Sequence, residues 1–167
     1  MKPDLFWIPG PWRGSLAVVA RPRGGDWLED EARAWKGAGL DVVVSLLENE
    51  EAADLDLTKE REVVESNRIG FISFPIPDRG VPGSQKDALL LLATLTNLLE
   101  KGQNVGIHCR QSVGRSGLIA AALLVRSGTE TDRAVETVSA ARGQTIPETA
   151  GQMEWIKHLP TGDVVLT

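Results

Sequence analysis

The chain has 167 residues, 42% of them apolar and 25% charged, and 18 Lys+Arg against 23 Asp+Glu give a formal net charge of −5. This balance is that of an ordinary globular protein, and it excludes a disordered tract and a basic nucleic-acid module. A single cysteine excludes an intramolecular disulfide, so the sulfur serves either packing or chemistry. The N-terminus lacks the apolar stretch of a signal peptide, and the apolar run 88–99 is too short for a bilayer span. A cytoplasmic protein without a membrane partner is expected.

In chain order, Pro9-Gly10-Pro11 reads as a turn ahead of the first strand. Residues 16–20 form a short apolar strand ended by Arg21-Pro22. Residues 28–36 place Leu28, Ala32 and Trp35 near helical spacing, and Gly37 and Gly39 stop that helix. The β-branched run 41–47 reads as a buried strand. Residues 58–67 form a charged helix, and 70–75 another strand. A loop follows, rich in Pro and Gly (PIPDRGVPG, 75–83). Ser84 with Asp87 three residues on is a capping-box variant. It opens a helix to about Lys101, with Gly102 as its stop. Residues 104–108 are a strand, 109–115 a loop and 116–127 an Ala/Leu-rich helix. Two more helices span 131–142 and 148–158.

Strands alternating with helices predict an α/β fold, a mostly parallel central sheet flanked by helices, in one domain over 1–167. Ligands of such sheets bind at the carboxyl ends of the strands. The segment HCRQSVGRSG, 108–117, sits at such an end, between a strand and a helix. There the helix dipole and inward amides stabilise a thiolate at Cys109. The same amides, from Arg110, Gln111, Ser112, Val113, Gly114 and Arg115, can cradle phosphate oxygens. Arg115 can grip two of those oxygens as a fork. Ser116 can offer its hydroxyl to the sulfur, Gly114 eases the turn, and Gly117 lets the helix approach the sheet. A bland reading, an inert buried thiol at a strand end, is disfavoured by the polar loop and the helix start.

HCRQSVGRSG resembles the His-Cys-x5-Arg-Ser/Thr signature of the protein-tyrosine-phosphatase superfamily, and the chain is similar to its small bacterial dual-specificity-like members. The resemblance implies Cys109 as nucleophile, Arg115 as phosphate clamp, Ser116 as helper of the departing thiolate and His108 as support for the cysteine. Where the family usually has Gly, the third residue after the cysteine here is Ser112, which a negative φ would accommodate. Asp78 in FPIPDRG stands at a distance similar to that of the family's general acid, and a departing alkoxide needs such a proton donor. Taken alone, Asp78 could merely cap its turn. ARGQTIPETAGQMEWI, 141–156, resembles the family's late segment. Gln152 matches the Gln that positions the hydrolytic water, while Glu148 replaces the earlier Gln. The opening WIPGPWRGSLAVVARP resembles the same members.

The motif order excludes low-molecular-weight phosphatases and arsenate reductases, whose cysteine loop lies near the N-terminus. Without Tyr there is no stacking-Tyr recognition loop, and the cysteine loop lacks the paired Lys of polyphosphoinositide phosphatases. The implied substrate is a phosphorylated protein or small phosphomonoester, with no cofactor. Two rivals stand beside this reading: a phosphoprotein-binding module with a weak site, and a rhodanese-like sulfurtransferase. The five Trp read as packing residues and His158 as a lone surface His. The acidic stretch Glu48, Glu50, Glu51, Asp54, Asp56 reads as a solvated face with no metal ligation.

Overall fold

A computed structural model describes residues 3–160; the two ends of the expected 1–167 domain lie outside the described residues. Five strands are followed in chain order: β1 (Leu5–Ile8), β2 (Leu16–Val19), β3 (Val42–Ser45), β4 (Gly70–Ser73) and β5 (Val105–His108). The helices are α1 (Leu28–Gly37), α2 (Asn49–Asp54), α3 (Glu60–Ser66), α4 (Gln85–Glu100), α5 (Gly114–Arg126), α6 (Thr131–Arg142) and α7 (Ala150–Lys157). The sheet order is β1-β2-β5-β3-β4. Only β1 runs antiparallel, pairing Leu5 with Val19 and Ile8 with Leu16; the other pairings are parallel.

Strand alternation divides the core between the two faces. Leu16, Val18, Val42, Val44, Val105 and Ile107 meet α4 and α5. Ala17, Val19 and Val43 face the other way, onto Ala32 and Trp35 of α1 and Val64 of α3. α5 is buried almost all round, from Gly114 to Val125, which is why its sequence is nearly continuous Ala and Leu. Past the end of α4, Gly102 has a φ of 91°, which turns the chain so that the next amide, of Gln103, returns to the Leu98 carbonyl at 3.0 Å.

Four expectations need correction. Pro9-Gly10-Pro11 lies between β1 and β2 rather than ahead of the first strand. The acidic stretch contains α2, capped by a box in which Glu48 and Glu51 exchange side-chain bonds with each other's backbone. Ser84 accepts the Asp87 amide at 3.2 Å, but the box is only half made, because Asp87 is one methylene shorter than the Glu that reaches back. Trp12 and Trp35 are buried, whereas Trp7 and Trp27 are 41% and 54% exposed; Trp27 carries the Arg23 guanidinium 4.3 Å from its ring centre. Among the described residues, no helix is long and apolar enough to cross a membrane.

Candidate active site

Cys109 leaves the end of β5, the middle strand of the sheet, and is 2% exposed. The loop that follows is held from outside by its carbonyls. Arg21 Nη1 donates to the Arg110 carbonyl at 3.2 Å. Arg142 donates from Nε to the Ser112 carbonyl at 2.8 Å and from Nη2 to that of Gln111 at 3.5 Å. The Arg142 guanidinium itself rests 4.2 Å from the ring centre of Phe6 on β1. The amides of Arg110 to Val113 donate to no backbone carbonyl among the described residues, as an anion-binding loop requires.

Ser112 does not take the negative φ expected of it. Its φ is +56°, the left-handed region that favours Gly. Its Oγ donates to the Val19 carbonyl at 2.5 Å, a compensation that glycine could not supply. Gly114 and Gly117 are needed for closeness rather than for a turn or for the sheet. A Cβ on Gly114 would stand 2.7 Å from Glu148 Oε2, and one on Gly117 would stand 2.6 Å from Ile146 Cδ1.

The Arg115 side chain is 2% exposed. Nη1 donates to Glu51 Oε1 at 2.7 Å and to the Ile76 carbonyl at 2.8 Å, with the Leu46 carbonyl at 3.4 Å. Nη2 donates to Glu51 Oε2 at 2.9 Å and lies 3.4 Å from Asp78 Oδ1. Glu51 is therefore not part of a solvated face. Hydrogen bonds from Arg115 hold its carboxyl below the usual range against the opposing effect of burial, helped by the Glu48 amide and Arg110. Burial weakens the Arg115 charge, but Glu51, the Cys109 sulfur and Asp78 outweigh it and raise the guanidinium further. Sequence reasoning missed Glu51. The only local signal was the capping-box spacing of Glu48 and Glu51.

A cavity of about 240 Å³ is lined by Asp78, Arg79, Cys109, Arg110, Gln111, Gly114, Arg115 and Glu148. Asp78, 62% exposed, sits on the loop after β4. Arg79 beside it, also missed from sequence, donates to Glu148 Oε1 at 2.7 Å. Gln152 does not reach the cavity wall and is fully buried. Its Oε1 accepts the Glu148 and Thr149 amides, and its Nε2 donates to the Gly80 carbonyl at 3.0 Å. It ties the Asp78 loop to α7. Ser116 is buried, and its hydroxyl is the one buried side-chain polar atom among the described residues without a hydrogen-bond partner. His108 points away from the cavity, toward Glu60 of α3.

A thiol, a guanidinium and an exposed carboxylate thus meet at one polar cavity beside a ring of unspent amides. Such a site can hold a tetrahedral anion against a sulfur nucleophile. Solved structures share the fold. The active form of Tk-PTP is 29% identical with a TM-score of 0.77, covering 95% of this chain and 97% of that one. Kinase associated phosphatase (KAP) superposes with a TM-score of 0.82 at 18% identity, covering 93% of each chain. The protein named "Putative tyrosine phosphatase 197R" of Invertebrate iridescent virus 6 is 27% identical over 165 residues, 95% of this chain. The chain spans only 57% of that relative's length. The family model described as "Polymorphic toxin system, DSP-PTPase phosphatase" matches residues 17–129, more than half of the chain. With the α/β fold, the cysteine loop and this match in agreement, the chain belongs to that family of dual-specificity and tyrosine-type phosphatases.

Proposed function

We propose that the chain hydrolyses phosphomonoesters, of phosphotyrosine and/or phosphoserine/threonine in proteins or of a small molecule, through a phospho-cysteine intermediate. The observation that carries this is the meeting of Cys109, Arg115 and Asp78 at one cavity. In the first step the Cys109 thiolate attacks phosphorus, an S–P bond forms, the P–O ester bond breaks, and Asp78 gives its proton to the departing oxygen. In the second step a water gives its proton to Asp78 and attacks phosphorus, and the S–P bond breaks to return the thiolate. The Ser116 hydroxyl, without a partner among the described residues, would donate a hydrogen bond to the departing thiolate. Glu51 takes one hydrogen from each terminal nitrogen of Arg115, which leaves Nε–H and, beside Asp78, the second Nη2–H as the edge for two phosphate oxygens. The loop amides bind the spreading charge. Water positioning falls to Glu148 at the cavity wall, because the polar atoms of Gln152 are already engaged.

Cys109→Ser tests this reading. Turnover should fall at least about a thousandfold, since a serine hydroxyl is a far weaker nucleophile at its ordinary pKa. Phosphate-ester binding should survive, because Arg115 and the amides remain. Acid-quenched wild type should carry phosphate on Cys109, and the variant none. Turnover by the serine protein within tenfold of wild type would overturn the reading. Persulfide transfer by Cys109 without phosphate release would favour the sulfurtransferase, and binding without turnover by wild type the phosphoprotein module.

A further inference from the structure

Glu60, at the start of α3, is 3% exposed, and His108, at the end of β5, is completely buried. His108 Nε2 lies 2.5 Å from Glu60 Oε2, and its Nδ1 lies 3.4 Å from the carbonyl oxygen of Cys109. The imidazole stacks on Trp35 of α1, with centroids 6.1 Å apart and planes at 29°. Neither Glu60 nor His108 lines the cavity. A buried carboxylate is strongly disfavoured unless it is paired, so the pair calls for a role.

Counting protons supplies one. Three sites are available: Nδ1, Nε2 and Oε2. With a single proton on Nε2, the Nδ1 lone pair would face the Cys109 carbonyl, two acceptors toward each other. The pair would also carry a net negative charge behind the sulfur. A second proton removes both conflicts. One proton then lies between Nε2 and Oε2, the pair is neutral, and Nδ1–H points at the nucleophile's own peptide.

We propose that Glu60 is a positioning residue for Cys109: by engaging Nε2 it commits His108 to the form with a proton on Nδ1, so that a donor rather than a lone pair backs the Cys109 peptide. The proposal rests on the thiolate reading above. Cys109 shares its cavity with Arg115 from α5, Asp78 and Arg79 from the loop after β4, Arg110 from its own loop and Glu148 from the segment before α7. Glu51 of α2 acts on it through Arg115. Those groups set the cavity side of the thiolate, and the Glu60–His108 pair sets the side toward the sheet.

The test is Glu60→Gln in the full chain. Glutamine keeps the shape but satisfies either imidazole tautomer, so the commitment is lost. Alkylation of Cys109 by iodoacetamide at pH 6 should slow about fivefold, since only the thiolate reacts, and the acid limb of kcat/KM should move to higher pH. Glu60→Asp should recover part of both. In wild type, the nitrogen NMR spectrum of His108 should show a protonated Nδ1 at pH 7. A folded Glu60→Gln protein with unchanged alkylation rate and acid limb would overturn the proposal. So would a bare Nδ1 in wild type, and that measurement decides if the Gln variant does not fold. Alkylation reports the thiolate without turnover, so a negative result leaves the phospho-cysteine reading standing. Conversely, turnover by Cys109→Ser would remove that reading without altering the proton count.

Discussion

Asp78 carries the proton in the proposed chemistry, yet it is the most exposed of the three converging groups, at 62%. It lies 3.4 Å from Arg115 and brings no positive charge to the cavity, so its contribution to holding phosphate is small beside that of the buried guanidinium. Asp78→Ala should therefore spare binding and impair the rate in proportion to the leaving group's need for a proton. A general acid contributes about 10²–10⁴-fold. The loss should be largest for a serine alkoxide, smaller for a tyrosine phenoxide and least for a nitrophenoxide, and the basic limb of the pH–rate profile should flatten. Equal losses across the three leaving groups would make Asp78 a turn residue. That Cys109, Arg115 and Asp78 would meet at one cavity was legible in the sequence because their positions follow from local context: a strand end, a helix start, a loop after a strand. Glu51 was not, because its partner lies 64 residues away and one sequence shows only an acidic run. Gln152 was legible in kind but not in use, although Thr149 three residues earlier already spelled the capping box that engages it. The φ of Ser112 left no trace, since serine is not a residue that marks a left-handed turn.

At the level of elements, the β-branched and apolar runs predicted β2, β3, β4 and β5 within about two residues, the usual uncertainty of a frayed end. β1 escaped because Leu5–Ile8 is four residues with no alternation to separate them from the Pro-Gly-Pro turn. α2 escaped because its six residues present no buried face. Both short elements bear on the site: α2 carries Glu51, and β1 carries Phe6 beneath Arg142. Arg142→Ala should free the Gln111 and Ser112 carbonyls and let the amide ring relax. A displacement of about 1 Å in such a site costs up to about 10²-fold, so kcat/KM should fall by about 10–100-fold while Cys109 remains open to alkylation. A folded Arg142→Ala protein with wild-type kcat/KM would show that the loop keeps its shape without external support.

Across the whole molecule, the Glu51–Arg115 pair couples the site to acid stability. The folded carboxyl titrates below its unfolded value. Its stabilisation is therefore fully present above the unfolded value and is lost as pH falls through the lower, folded one. Glu51→Gln leaves a buried guanidinium short of its main counter-ion and should cost about 2 kcal/mol at neutral pH, less than a fully buried pair because water reaches part of the carboxylate. Urea midpoints of wild type and variant, measured between pH 7 and pH 3, should converge toward the acid end. Parallel curves over that range would mean that the pair contributes nothing to folding.

Most of the ties that shape the site reach far along the chain. Arg115 bonds to groups 39, 64 and 69 residues away, Gln152 to a carbonyl 72 residues away, and Ser112 to one 93 residues away. Closing loops of that span is slow, and no segment of the chain holds enough of the ties to do it alone. During synthesis the cysteine is made some forty residues before the α7 residue that anchors the Asp78 loop, so a nascent chain carries the proposed nucleophile before it carries the contacts that complete the site. Competence to turn over substrate arrives with the last contacts of the fold, and a rising phosphatase signal in a refolding experiment is a clock for the completion of the whole molecule.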